Sequence, residues 1–171
     1  MPGTKYDPIE TLMREHREYE TRMRDLEVAL ATDPGSAGGG AVPRKVAEFS
    51  AFFEREVEGF HGRKEETALF PALARYLPSP GPVEVMVADH RQMRSNEQEM
   101  KRGATRLESD PGSIEALGGM VCSGTDLISL LLHHIQKEDN VLFPTARNVL
   151  LPREMEEVAE ACRSIDESRG R

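Results

Sequence analysis

Apolar residues recur along most of the chain at alternating spacings of three and four, the signature of helices that bury one stripe. Asp7 is a candidate N-cap with Pro8 at the first helical position, and Ile9, Leu12, His16, Tyr19, Met23, Leu26 and Leu30 then form an unbroken seam. The run from Thr32 to Pro43, rich in Gly, reads as a flexible connection, with Pro43 opening a second helix that extends to about Leu77. That helix carries Val46, Phe49, Phe53, Val57 and Phe60, and Pro71 is expected to kink or end it. After Pro78–Pro82 a third helix repeats the alternation with Val83, Met86, His90, Met93, Glu97, Met100, Ala104 and Leu107. Ser109–Ser113 breaks the chain again, and a fourth helix is predicted from Ile114 to Phe143, ahead of Pro144. A fifth opens at Pro152, with Met155, Val158, Cys162 and Ile165 on one stripe. The prediction is an all-α fold, an up-down-up-down four-helix bundle with an additional C-terminal helix. One domain is expected over 1–171, with the bundle at about 7–146 and the last helix at about 152–168.

Composition narrows the function classes. The 171 residues carry a formal charge of -8, with 38% hydrophobic and 30% charged residues. No Lys/Arg cluster offers a footprint for phosphate backbones or anionic lipids, so neither nucleic acid nor a membrane is an expected partner. The N-terminus lacks the basic-then-apolar pattern of a signal peptide and no stretch approaches about 18 apolar residues, which makes the cytoplasm the expected location. Cys122 and Cys162 stand apart with no CxxC, and each reads as a buried free thiol.

An internal repeat brings in the chemistry. His61-Gly62-Arg63-Lys64-Glu65-Glu66-Thr67-Ala68-Leu69-Phe70-Pro71 aligns without gaps to His134-Ile135-Gln136-Lys137-Glu138-Asp139-Asn140-Val141-Leu142-Phe143-Pro144, with six of eleven positions identical. Glu15-His16-Arg17 matches Asp89-His90-Arg91 at nearly the same separation. The chain is therefore a doubled helical hairpin, each half with one His on its first helix and an H-x-x-x-E on its second. A His and a Glu four apart lie within about 40° of each other around the helix axis, so both can reach one ion. His16, His61, Glu65, His90, His134 and Glu138 all fall in apolar stripes, where burial is costly without a compensating partner such as a metal. Four His and two Glu exceed what one tetrahedral zinc takes, and two metals, with both Glu bridging and two terminal His on each, suit this mixed N/O set. Iron is favoured on that donor set, with manganese or zinc as alternatives.

These six residues, with Leu-Phe-Pro following each Glu, resemble the haemerythrin-like (HHE cation-binding) family over nearly the whole chain to about Pro144. The resemblance implies a four-helix bundle holding two iron ions in an oxo- or hydroxo-bridged di-iron centre. Carried over by position, His16 and His61 bind one iron and His90 and His134 the other. The fifth His that oxygen-carrying haemerythrins place one turn from the third-helix His has no equivalent here, where Met86 and Arg94 flank His90, and this argues against oxygen carriage. The spacing is similar to the di-iron domain of iron–sulfur cluster repair proteins and to stand-alone haemerythrin-like proteins that handle peroxide or nitric oxide. The expected function is thus binding or reduction of oxygen, nitric oxide or peroxide in stress handling, with a redox partner protein and with peroxide- or nitric-oxide-consuming turnover left open. The alternatives are a non-catalytic iron or oxygen sensor or store, and an iron donor for cluster repair.

Other polar residues are read beside the six. Tyr19, one turn from His16, could bond a ligand or relay an electron, with core packing favoured. Glu20 makes a third H-x-x-x-E with His16 but lacks the Leu-Phe-Pro context, and reads as a solvated charge or an acceptor for an imidazole N–H. Glu97 lies about 10 Å along the axis from His90, too far to ligate, and either lines an access path or sits at the bundle edge. His133, about 100° around the helix from His134, is read as packing or as support to the ligands. Gly62 inside a helix suggests close approach of a neighbouring helix or a small ligand, and Lys64 and Lys137 are expected on solvated faces.

Overall fold

A computed structural model of the chain describes residues 6–32 and 41–170. The first helix, α1 (Pro8–Ala31), is capped as expected: the Asp7 side chain accepts from the Glu10 N–H at 3.0 Å, and Pro8 takes the first turn where no donor is needed. The helix α2 starts at Ala41, two residues before Pro43, and is α-wound over Ala41–Phe52. It then continues as π-turns over Phe53–Gly62 and Glu65–Leu69 and regains α-geometry at Phe70–Leu73. Most of the predicted connection before it, 33–40, lies outside the described residues.

Helix α3 (Pro82–Ser109) begins with Pro82 and with the Glu84 carboxylate accepting from the Gly81 N–H at 2.8 Å. Helix α4 is α-wound over Ile114–Lys137, capped by Ser113, then passes through a π-turn at Glu138–Leu142 into Phe143–Val149. Helix α5 (Pro152–Glu167) ends in a 3₁₀ turn, Ser168–Gly170. The four long helices close a bundle, α1 on α2, α2 on α3, α3 on α4 and α4 on α1, while α5 packs on α1 and on the Glu65–Leu69 turn.

The two prolines expected to interrupt helices do not. A proline ring clashes with the carbonyl four residues back and lacks an N–H for it. Each helix avoids the conflict by widening just before its proline: the Phe70 N–H reaches back to Glu65 O, and the Phe143 N–H to Glu138 O. Pro71 and Pro144 then stand in the first turn of a fresh α-segment. Single-turn π-windings of this kind are frequent at functional sites.

Two apolar clusters fill the interior. One contains Tyr19, Met23, Phe49, Phe53, Met93, Met100, Leu127 and Leu131. The other contains Ile9, Leu12, Leu69, Phe70, Met86, Leu142, Phe143 and Cys162. Along α1 and α3 the change from one cluster to the other falls at His16 and His90, so the histidines form a polar layer between two dry ones. The Ile114–Val149 helix is long and apolar enough, by length and composition alone, to cross a membrane, which the run lengths did not predict. Its apolar face includes Met120, Leu127, Leu131 and Ile135, buried in the bundle.

Cys162 is buried, but Cys122 is exposed on α4, so the expectation of two buried thiols holds for one of them. Burial and the neighbouring acids push the Cys162 thiol up to about 12.

Candidate metal centre

His16, His61, Glu65, His90, His134 and Glu138 converge in the polar layer, and all six are buried. Their ligand atoms fall into two nests, His16, His61, Glu65 and Glu138 in one and Glu65, His90, His134 and Glu138 in the other, with the atoms of each nest within 4.8 Å of one another. Both carboxylates belong to both nests. Glu65 sends Oε1 to His61 Nε2 at 3.2 Å and Oε2 to His90 Nε2 at 3.4 Å. Glu138 sends Oε1 to His134 Nε2 at 3.2 Å and Oε2 to His16 Nε2 at 3.3 Å. The two Nε2 atoms within each nest, His16 with His61 and His90 with His134, are 3.1 Å apart.

The outer face of every imidazole is held by an acid. His16 Nδ1 lies 2.7 Å from Asp139 Oδ1 and His90 Nδ1 lies 2.7 Å from Glu66 Oε1. His61 Nδ1 lies 2.9 Å from Glu15 Oε2 and His134 Nδ1 lies 3.2 Å from Asp89 Oδ2. A carboxylate only accepts, so each Nδ1 carries a proton and a ring in its neutral, metal-binding form presents its Nε2 lone pair inward. The interior of each nest is then made of acceptors, two imidazole nitrogens and two carboxylate oxygens. None of the four oxygens of Glu65 and Glu138 has a hydrogen-bond partner. Convergent buried lone pairs without a donor repel one another until a positive charge lies among them.

In the metal-free pocket, protons take the place of that positive charge on two of the rings. Burial alone would discharge His61 and His134, but the facing acids, chiefly Glu65 for His61 and Glu138 for His134, outweigh it and raise their pKa values to about 10 and about 9. Burial likewise opposes the charge on Glu65, yet the flanking imidazoles hold it well below the usual carboxylate range. The excess negative charge is met by any cation, and a mix of imidazole nitrogen and carboxylate oxygen fits a transition metal of the iron-to-zinc series.

A cavity of about 20 Å³ adjoins the nests, room for roughly one water-sized molecule. Apolar Phe53, Val57, Met93, Leu131 and Ile135 line it together with the four histidines, while Glu58 and Arg94 supply its charged wall. Arg94 is 3.4 Å from Glu58 Oε1 and 3.5 Å from Glu66 Oε1. Gly62 also borders the cavity, and a Cβ there would lie 3.7 Å from His90 Cε1 and 3.2 Å from Val57 O. The close neighbour inferred from a mid-helix glycine is thus the His90 ring of α3.

The remaining predicted residues lie further out. The Tyr19 ring packs edge-on against His61, but its hydroxyl donates to Glu56 O at 3.1 Å rather than into the site. Glu20 pairs at 2.9 Å with Arg17, which also binds Asp139, so it stands three links from His16. His133 is on the exposed face of α4 with Nδ1 at 2.8 Å from Ser129 O. Glu97 is buried rather than at the bundle edge, and burial raises its pKa. It is not among the residues lining the cavity. Lys64 corrects the expectation of solvated lysines. It is fully buried, with Nζ 2.5 Å from Glu15 Oε1 and 3.0 Å from Asp166 Oδ1, and the approach of α5 encloses it.

The four supporting acids are residues that sequence reasoning missed as functional, and the repeat carried their signal. An acid precedes each first-helix His, at Glu15 and Asp89, and an acid follows each shared Glu, at Glu66 and Asp139. Acids at these positions reach the Nδ1 atoms only across the bundle, which spacing along one helix does not reveal.

A helical bundle with two acceptor nests that share two carboxylates is the architecture of a cation-binding four-helix protein. The chain belongs to the haemerythrin family: the model of the hemerythrin HHE cation binding domain matches residues 7–146. Curated relatives include the iron-sulfur cluster repair proteins YtfE of Escherichia coli O157:H7 and Citrobacter koseri, each 26% identical over 138 residues, and that of Cronobacter sakazakii, 27% identical over the same length. These matches take in 79% of this chain and 62% of each relative.

Proposed function

We propose that this chain is a single haemerythrin-like domain that holds two iron ions, one between His16 and His61 and one between His90 and His134, with Glu65 and Glu138 spanning both. The observation that carries the reading is the sharing of the two carboxylates, one oxygen of each directed to each His pair. Two iron ions so held supply paired one-electron redox centres that can bind and reduce a small molecule. The protein's own part is to orient and to exclude. The acids on Nδ1 fix the ring tautomers and orient each Nε2 inward. The cavity's size restricts entry to diatomic or peroxidic molecules, its apolar wall keeps bulk water out, and Arg94 places a positive charge beside any anionic form of the ligand. On this basis we read the protein as binding or reducing oxygen, nitric oxide or peroxide in oxidative or nitrosative stress, in the cytoplasm and with a redox partner protein.

A second reading, iron donation to damaged iron–sulfur clusters, is favoured by the similarity to iron-sulfur cluster repair proteins, of whose length the chain spans about three-fifths. Anaerobic loading with ferrous iron followed by exposure to oxygen, nitric oxide and peroxide, monitored by visible absorption, separates the readings. Reversible colour with oxygen or nitric oxide indicates binding, and sustained peroxide or nitric oxide consumption indicates turnover. Transfer of iron to an apo-cluster protein without either indicates donation. Purified protein that takes up no iron under these conditions would remove the basis of all three.

A further inference from the structure

The two halves of the bundle back their inward histidines with the same chemistry but enclose it unequally. Behind His61, Glu15 is gripped from three sides: by the ring Nδ1 at 2.9 Å, by Lys64 Nζ at 2.5 Å and by Arg169 Nη2 at 2.8 Å. Lys64 has no exposed surface. Its ammonium also reaches Asp166 Oδ1 at 3.0 Å, and the other oxygen of Asp166 accepts from the Tyr6 hydroxyl at 2.7 Å. Asp166 lies on α5 and Arg169 on the turn that ends it.

Behind His134, Asp89 meets the ring Nδ1 at the longer distance of 3.2 Å and pairs with Lys137. The Lys137 side chain is 41% exposed, and among the described residues no counterpart of Asp166 or Arg169 reaches Asp89. The acids on the other two rings differ in the same sense. Glu66 behind His90 is 33% exposed, against 13% for Asp139 behind His16. The asymmetry between Lys64 and Lys137 is imposed by α5 (Pro152–Glu167) and the turn that ends it, which lie beyond the residues 7–146 that match the family model.

We infer that α5, acting through Lys64 and Glu15, makes the two metal positions inequivalent: the ion between His16 and His61 is retained, and the ion between His90 and His134 exchanges with solution. The inference rests on the two-ion reading above. An ion leaves when an imidazole swings off it and water or a competing ligand enters. A ring whose outer acid is clamped by a fully buried lysine and a second cation has little room to swing, because the alternative leaves the lysine buried and short of a partner. A ring whose outer acid is shared with a solvated lysine opens at little cost. Lys64 is a positioning residue in this scheme, since it touches Glu15 and no proposed ligand atom.

Mixing the iron-loaded full chain with a strong ferrous chelator is expected to release iron in two phases of about one ion each. Crystals depleted through the fast phase should show anomalous scattering from iron at His16/His61. Lys64→Met should accelerate the slow phase by about ten- to a hundred-fold, the usual cost of removing an outer-shell partner, while Lys137→Met leaves it unchanged. Should Lys64→Met not fold, as judged by circular dichroism, Asp166→Asn keeps Lys64 on Glu15 and should accelerate the slow phase by a smaller factor. A single release phase with two ions loaded, residual iron at His90/His134, or an equal effect of Lys137→Met would overturn the inference while leaving the two-ion reading intact. A chain that never loads two ions would instead overturn that reading itself.

Discussion

The hairpin of α1 and α2 and the hairpin of α3 and α4 are copies of one another where they face inward and diverge where they face out. Inside, the repeat is kept atom for atom: a His pair with Nε2 atoms 3.1 Å apart, and a Glu placed to serve both pairs. Outside, the same Lys–acid pair is sealed in the first hairpin and solvated in the second. The winding diverges as well. Both hairpins carry the π-turn that begins at the shared Glu, but among the described residues only α2 has a longer π-stretch, Phe53–Gly62, that takes in its His. The lesson is that duplication conserved what meets a common ligand, because each half must supply half of one site. The outer residues answer only to whatever packs on them, and α5 packs on the first half.

The largest effect should come from breaking the shared part. Replacing Glu65 or Glu138 by Ala removes one oxygen from each nest at once, and each variant is expected to fall from two bound irons per chain to none or one by elemental analysis. Two irons retained in either variant would contradict bridging. Next in size is the divergent part. Lys64→Met takes a fully buried ammonium from between Glu15 and Asp166, leaving Glu15 to His61 and Arg169, and should cost about 2–3 kcal/mol of unfolding free energy, whereas Lys137→Met, at a half-exposed pair, should cost about 1 kcal/mol or less. Equal losses in denaturant titrations would mean that α5 does not enclose the first pair in solution.

Acid sharpens the same comparison. Burial works against the Glu15 charge, but the hydrogen bond to His61, with Lys64 nearby, lowers its pKa to about 2 from an ordinary 4.5. A carboxyl whose folded pKa is depressed contributes stability present above the ordinary value and lost as pH falls from about 4.5 toward 2. The thermal midpoint of the metal-free protein should therefore drop across that window, and drop less in Glu15→Gln, whose side chain does not ionise. An identical pH slope in both proteins would remove Glu15 from the account. The smallest effect concerns the thiols. At pH 8 an alkylating reagent should modify Cys122 and spare Cys162, which sits on the buried face of α5 and is protonated with a pKa of about 12. Two modified thiols per folded chain would show α5 to be open.

Much of the fold follows from local physics. The spacing of Ile9, Leu12, Met23 and Leu26 needs a helix, Asp7-Pro8 starts it, and the breaks at Pro78–Pro82 and Ser109–Ser113 fall where the structure turns. The six inward groups were legible because a polar residue at an apolar register position, repeated twice in one frame, has few explanations other than a shared charge. Pro71 and Pro144 misled because a proline read alone ends a helix, whereas a π-turn before it lets the helix go on, and which occurs depends on what holds the next segment in place.

The outer acids, Lys64, Arg94 and Glu58 were not legible as functional for a different reason. Each acts across the gap between two helices, and the facing of one helix on another depends on rotation and tilt that no periodicity encodes. From its order of residues alone the chain specified a doubled helical hairpin and the inward His and Glu, since burial stripe and repeat are properties of one strand of sequence. Which carboxylate backs which ring, which lysine is sealed, and the size of the cavity were decided only when the helices packed, because those are distances between residues up to 160 apart along the chain.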